Sequence, residues 1–177
     1  MYVWLAIDIN DQLKNIRDKI AKISNKLNVD NLALTLPLHV SLLISFPIDD
    51  LIFESIVKRI GEYYSNLAQF TLKTRKIAKC DNIVWLLIKG NRKLKKIHSD
   101  LLRLLQKEYC IHPTDMDLKF LFHSTLFMNN DKSKVDDVYN CLKNEAIPNK
   151  LLANKLLIGC SKTGRAGDFE IVKEFLL

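Results

Sequence analysis

Two histidines carry the chemistry this sequence offers. His39 is followed two residues later by Ser41, and His123 by Thr125, each pair inside an alternating, largely apolar stretch. In an extended strand successive side chains leave opposite faces, so a residue and the next but one share a side. From Leu36 to Pro47 one side reads Leu38, Val40, Leu42, Ile44 and Phe46, and the other Pro37, His39, Ser41, Leu43 and Ser45. From Leu118 to Met128 the apolar side is Phe120, Phe122, Leu126 and Met128, and the reverse carries Lys119, Leu121, His123 and Thr125. A sheet face that only had to be buried has no use for an imidazole and a hydroxyl in this order. One strand histidine is ordinarily structural. Two of only four, in matching settings about half a chain apart, point to a shared task.

The task that suits such a pair is displacement at a phosphodiester. One group must take a proton from the nucleophile and another must give one to the leaving oxygen. Imidazole titrates near neutrality, so one ring can be neutral while the other is protonated. The hydroxyls of Ser41 and Thr125 can donate to the non-bridging oxygens, whose charge must be held during in-line attack. With a histidine for each proton transfer, no metal and no cofactor is called for. The binding alternative is a basic RNA- or nucleotide-binding protein of the same build that catalyses nothing.

These residues need elements to position them. A first strand is expected from about Tyr2 to Ile9, and a helix follows with Leu13, Ile16, Ile20, Ile23 and Leu27 at spacings of three and four. After the His39 strand, Asp49-Asp50 caps a second helix bearing Phe53, Ile56, Val57, Ile60, Tyr63 and Leu67. Strands near 69–80 and 83–89 flank the Asp81-Asn82 turn. A third helix has the stripe Leu94, Ile97, Leu101, Leu104 and Leu105. The His123 strand leads to a fourth helix capped at Asn130-Asp131, and two strands near 151–161 and 168–176 close the chain around a glycine turn. Each half thus reads helix, histidine strand, helix, strand, strand. The fold class expected is α+β: two pseudo-symmetric lobes, each an antiparallel sheet with helices outside, around a central cleft, in one domain spanning 1–177.

The totals fit. A chain of 177 residues, 48% hydrophobic with five Gly and four Pro, can bury a sizeable core. The net charge of +7 favours an anionic partner such as RNA or nucleotides, with loose basic groups at Lys73-Arg75-Lys76-Lys79, at 89–96 and near Lys155-Lys162-Arg165. Four scattered cysteines without a paired spacing read as reduced thiols. The N-terminus reads as a strand and no apolar run approaches a membrane span, so the expected location is cytoplasmic. No obligate protein partner is indicated, and a monomer is expected. Trp4 and Trp85 read as core, although Tyr2 and Trp4 share a face that could stack on a base if it lines the cleft. His98 reads as packed or surface, His112-Pro113-Thr114 as a loop, Asp8 as a strand-end surface residue, and 163–167 as a hairpin turn.

His39-Val40-Ser41-Leu42 and His123-Ser124-Thr125-Leu126 resemble the paired His-x-Thr/Ser-x signature of the two-histidine phosphoesterases, closest to the bacterial 2′-5′ RNA ligase or RNA 2′,3′-cyclic phosphodiesterase branch. The order of elements is similar over nearly the whole chain, as is the closing hairpin from Leu157 to Leu176. The resemblance implies catalysis by His39 and His123, phosphate contacts from Ser41 and Thr125, and a substrate that is RNA or a nucleotide with a cyclic or 2′-5′ phosphodiester. That family often carries proline before the second histidine and arginine soon after it; here Phe122 and Phe127-Met128-Asn129 stand there. The cationic contact must come from elsewhere, and Lys119, four residues before His123 on the same expected face, is the candidate.

Overall fold

The computed structural model describes all residues, Met1–Leu177. The elements run β1 (Tyr2–Asp8), α1 (Lys14–Leu27), β2 (His39–Ser41), β3 (Phe46–Pro47), α2 (Phe53–Tyr64), β4 (Phe70–Cys80), β5 (Ile83–Lys89), α3 (Arg92–Tyr109), α4 (Asp115–Leu118), β6 (His123–Met128), α5 (Lys132–Leu142), β7 (Lys150–Ala153), β8 (Lys155–Ser161) and β9 (Glu170–Leu176). Local chemistry sets several of these limits. Asn91 and Asp131 accept from backbone N–H groups at the starts of α3 and α5, and Asn28 and Cys110 turn left-handed to end α1 and α3. No helix is long and apolar enough to cross a membrane.

The strands form two antiparallel sheets. One has the order β2-β1-β8-β9, with β3 also paired to β1; the other has the order β6-β5-β4-β7. Each histidine strand therefore lies at an edge of its own sheet. A cluster of 35 buried apolar residues runs through both sheets, joining Leu5 and Val40 of the first to Leu86, Leu126 and Phe127 of the second. Fully burying a side chain of this kind contributes roughly 1.5–3 kcal/mol.

The lobes are not the two halves of the chain, as the repeated order of elements suggests. The β4–β5 hairpin, which follows the first histidine strand, pairs with the second one. The strand expected at 151–161 breaks at Asn154, so that β7 completes the second sheet while β8 returns to β1 in the first. Hydrophobic periodicity specifies which face of a strand is buried and is silent on which sheet it joins.

The His39 strand is also shorter than its alternation. Ser41 pairs with Ala6 and Phe46 with Val3, so residues 42–45 stand against only Leu5 and Trp4. The surplus backbone bulges out and is held by its neighbours. Leu42 O accepts from His98 Nδ1 at 2.7 Å, and Ile44 N donates to Asp117 Oδ1 at 3.1 Å. The bulge breaks the period of two: Leu43 turns inward, 2% exposed, while Ile44, expected in the core, comes to the surface of the cleft. His98 is packed, 8% exposed, with its Nε2 against Asp117 O at 3.0 Å.

Candidate active site

The two histidine strands are close neighbours in space, and one cleft of about 260 Å³ collects His39, Ser41, His123 and Thr125. Its walls come from Trp4 on β1, the turn Leu32–Thr35, the bulge residues Ile44 and Ser45, Phe120, and the loop before β9 that carries Gly167 and Phe169. A surface hollow beside Lys93 and Lys96 is larger, about 770 Å³, but Asp100 there is taken up by Lys96 and Tyr63 and no histidine lines it.

The two rings are held alike. His39 Nδ1 lies 2.7 Å from Pro37 O, and His123 Nδ1 lies 2.7 Å from Leu121 O, in each case the carbonyl two residues back. A carbonyl oxygen only accepts, so Nδ1 carries the proton and Nε2 is left without a protein partner. Each ring also rests on a tryptophan of the neighbouring strand. His39 meets Trp4 edge-on, centroids 4.3 Å apart at 77°; His123 stacks on Trp85 at 4.3 Å and 29°. Close packing leaves Trp4 little freedom, because a Cβ on Gly159, its partner on β8, would come within 2.6 Å of the indole.

The environments then part. Burial pushes the His39 pKa down to about 4; the Pro37 carbonyl opposes this, the nearby His123 adds to it, and Asp8 opposes it. His123 is also lowered by burial, less far, with the Leu121 carbonyl opposing. Ser41 Oγ accepts from Trp4 Nε1 at 3.2 Å, which leaves its own proton free to donate into the cleft. Trp85 Nε1 is buried without a partner.

Several expected site residues are placed differently. Lys119 is exposed at the end of α4 and does not line the cleft, because Thr114 and Asp117 form a capping box that spends 115–118 on a helical turn before β6 begins at His123. Phe120, expected in the core, precedes the strand; it packs against the edge of the core, stacked on His98 with ring centroids 4.7 Å apart, and also lines the cleft. A bulge opposite Val84 and Trp85 puts Leu126 and Phe127 both inside, so Met128, also expected in the core, emerges beside Thr125. Tyr2 lies away from the cleft, its ring covering Gly164, where a Cβ would come within 2.9 Å. Trp4 does reach the cleft. Asp8 is buried, 8% exposed, opposite His39 in the ladder and bonded to Lys155 at 3.0 Å.

Sequence reading missed other parts of the site. Trp85 is a platform under His123, not core filling. Asn31 donates to Leu126 O and accepts from Met128 N, tying the Leu32–Thr35 turn to β6, and Arg17 donates to Leu34 O and Leu36 O behind the same wall. The turn at 163–167 is a hairpin connection as expected, but Ala166 and Gly167 also line the cleft. No lysine or arginine lines it, and nowhere in the chain do three His, Cys, Asp or Glu side chains gather as a metal site would require. All four cysteines are free.

A family model described as the 2′-5′ RNA ligase superfamily matches residues 3–159. Among curated proteins, none matches significantly. Solved structures do. E. coli LigT complexed with 3′-AMP is 15% identical, covers 99% of this chain and 97% of its own, and gives a TM-score of 0.63. The TT0787 protein of Thermus thermophilus is 12% identical, with coverages of 100% and 98% and a TM-score of 0.64. Kluyveromyces marxianus Usb1 is 13% identical, with coverages of 99% and 98% and a TM-score of 0.54. At such identities the likeness establishes the fold alone, an α+β arrangement of two antiparallel sheets with helices.

Proposed function

The chain belongs to the 2′-5′ RNA ligase superfamily, and on that premise we propose that it is a metal-independent phosphoesterase. It opens 2′,3′-cyclic phosphates, or cleaves and joins 2′-5′ linkages, at RNA ends or on small nucleotides. The observation that carries this reading is the matched pair of rings in one cleft, each with Nδ1 pinned to a carbonyl and Nε2 free. His39, the more strongly lowered, is the base: neutral at working pH, its Nε2 takes a proton from water as the water oxygen attacks phosphorus. His123, which keeps its proton more readily, is the acid: the P–O3′ bond breaks and the O3′ oxygen leaves with the proton from His123 Nε2. The products are a 2′-phosphate and a free 3′-hydroxyl. Ser41 and Thr125 donate to the non-bridging oxygens. Nucleotides bound in the like-folded E. coli LigT, 3′-AMP and ATP among them, are consistent with this class of ligand.

The absence of any cation in the cleft lends weight to a second reading, a nucleotide-binding protein of this fold without turnover. Incubation with a 2′,3′-cyclic mononucleotide separates the two. The enzyme releases a 2′-phosphate, keeps its rate after exhaustive chelation, and loses it in a His39→Gln/His123→Gln variant. Binding without product, or activity that chelation removes and zinc or magnesium restores, contradicts the mechanism.

A further inference from the structure

The second sheet extends the cleft sideways. Strand pairing fixes which residues share its cleft face, because partners directly opposite one another point to the same side. His123 is opposite Leu87 and Thr125 opposite Trp85, so this face of β5 also carries Lys89. Lys73 of β4 stands opposite Lys89 on one side and Lys150 of β7 on the other. Three lysines thus form a row across three adjacent strands. Between Thr74 and Ile77 the β4–β5 register slips by one, so Arg75 and Lys76 together oppose Leu87, the partner of His123. At one strand spacing of about 4.8 Å per step, the backbone of that bulge lies roughly 10 Å from that of His123.

All five cations are exposed, and none has a carboxylate partner. The strands put no Asp or Glu on this face. On the opposite, helix-covered face of the same strand, Lys79 is paired with Asp136 of α5. Like charges placed directly opposite across a sheet destabilise it, so this row is a cost that folding alone does not explain. A partner with evenly spaced negative charge would remove that cost.

We propose that this face binds the single-stranded RNA leading to the cleft, with Lys73, Arg75, Lys76, Lys89 and Lys150 on backbone phosphates and the terminal phosphodiester delivered beside His123. The inference rests on the phosphoesterase reading and deepens it: the substrate is the end of an RNA strand, and a mononucleotide uses only the cleft. It also explains how a cleft without a cation can hold a polyanion, since the attraction lies on the approach. Charged contacts to a single strand release counterions, so each should contribute about 0.7 to the slope of log affinity against log salt.

The test compares a 2′,3′-cyclic mononucleotide with a short oligoribonucleotide ending in the same group, for the wild type and for Lys73→Gln/Arg75→Gln/Lys76→Gln. In the wild type the oligonucleotide has the lower KM, by about tenfold or more, and its KM rises steeply with salt. The variant loses that advantage, its salt slope falls by about 2, three contacts' worth, and its mononucleotide rate is unchanged, which also reports its folding. Anisotropy with a labelled oligonucleotide separates this claim from the parent reading. If neither substrate turns over but the wild type binds the oligonucleotide with a steep salt slope that the variant loses, the RNA track stands and the catalytic reading falls. Equal KM values for the two substrates, or oligonucleotide binding that the variant leaves intact, overturn the track. Tighter wild-type binding to an acidic protein or to anionic vesicles than to RNA also overturns it.

Discussion

The two histidine strands start from the same plan and reach different electrostatics. Both sit at a sheet edge, both pin Nδ1 to the carbonyl two residues back, and both rest the ring on a neighbouring tryptophan. Around His39 the plan is completed: Trp4 lies edge-on, its Nε1 is spent on Ser41, and the residue between His39 and Ser41 is Val40, fully buried. Around His123 it is looser. Trp85 lies nearly parallel with Nε1 unpartnered, and the intervening residue is Ser124, fully buried with no partner for its hydroxyl. On the proposed mechanism the unequal surroundings assign the roles, because the ring whose pKa is lowered further is the one left neutral when a single proton is held between them. If His39 and His123 act as proposed, the difference between the lobes divides their roles, and the resemblance is its frame.

The largest break in that comparison comes from the rings. On the proposed mechanism His39→Gln or His123→Gln lowers kcat by about 10²-fold or more, and the double variant is hardly worse than either single one, because the pair acts as a unit. Steady-state kinetics on a cyclic mononucleotide checks this; a raised KM with unchanged kcat would show that the residues only hold the phosphate. The hydroxyls come next. Ser41→Ala and Thr125→Ala each cost about 1–3 kcal/mol of transition-state binding, read from kcat/KM.

Smaller effects sharpen the contrast. Trp4→Phe removes the donor to Ser41, a net loss of about 1 kcal/mol by denaturant titration, whereas Trp85→Phe removes an N–H that has no partner and should cost less in hydrogen bonding. Ser124→Ala removes a buried, unsatisfied hydroxyl and should stabilise the protein by about 1 kcal/mol, while Val40→Ala at the equivalent place destabilises it by leaving a cavity. Equal effects of the two substitutions would erase the asymmetry.

Much of the candidate site is legible in the chain because alternation is local. His39 with Ser41, and His123 with Thr125, keep the period of two, and both pairs reach the cleft. The reading fails where the period is interrupted by something not local. Ile44 and Met128 change sides because of bulges set by partner strands, and Lys119 is lost to a helical turn whose capping box was legible only as a loop. The exchange of strands between the lobes was hidden for the same reason: nothing in β4, β5 or β8 names its sheet. Trp85 reads as core because one strand face cannot reveal which ring it will support.

If the unequal settings split the two imidazoles into base and acid, the pH dependence of kcat/KM carries the signature of both. The base must be neutral, so the rate falls as pH drops through the His39 value, about 4 in the free enzyme. The acid must be protonated, so the rate falls again as pH rises through the His123 value, which burial holds below the ordinary 6.5. The expected profile is a bell with its optimum on the acid side of 6.5, whose acidic limb disappears in the residual activity of His39→Gln while the alkaline limb stays. A flat profile, or an acidic limb that His123→Gln removes and His39→Gln leaves in place, would contradict it.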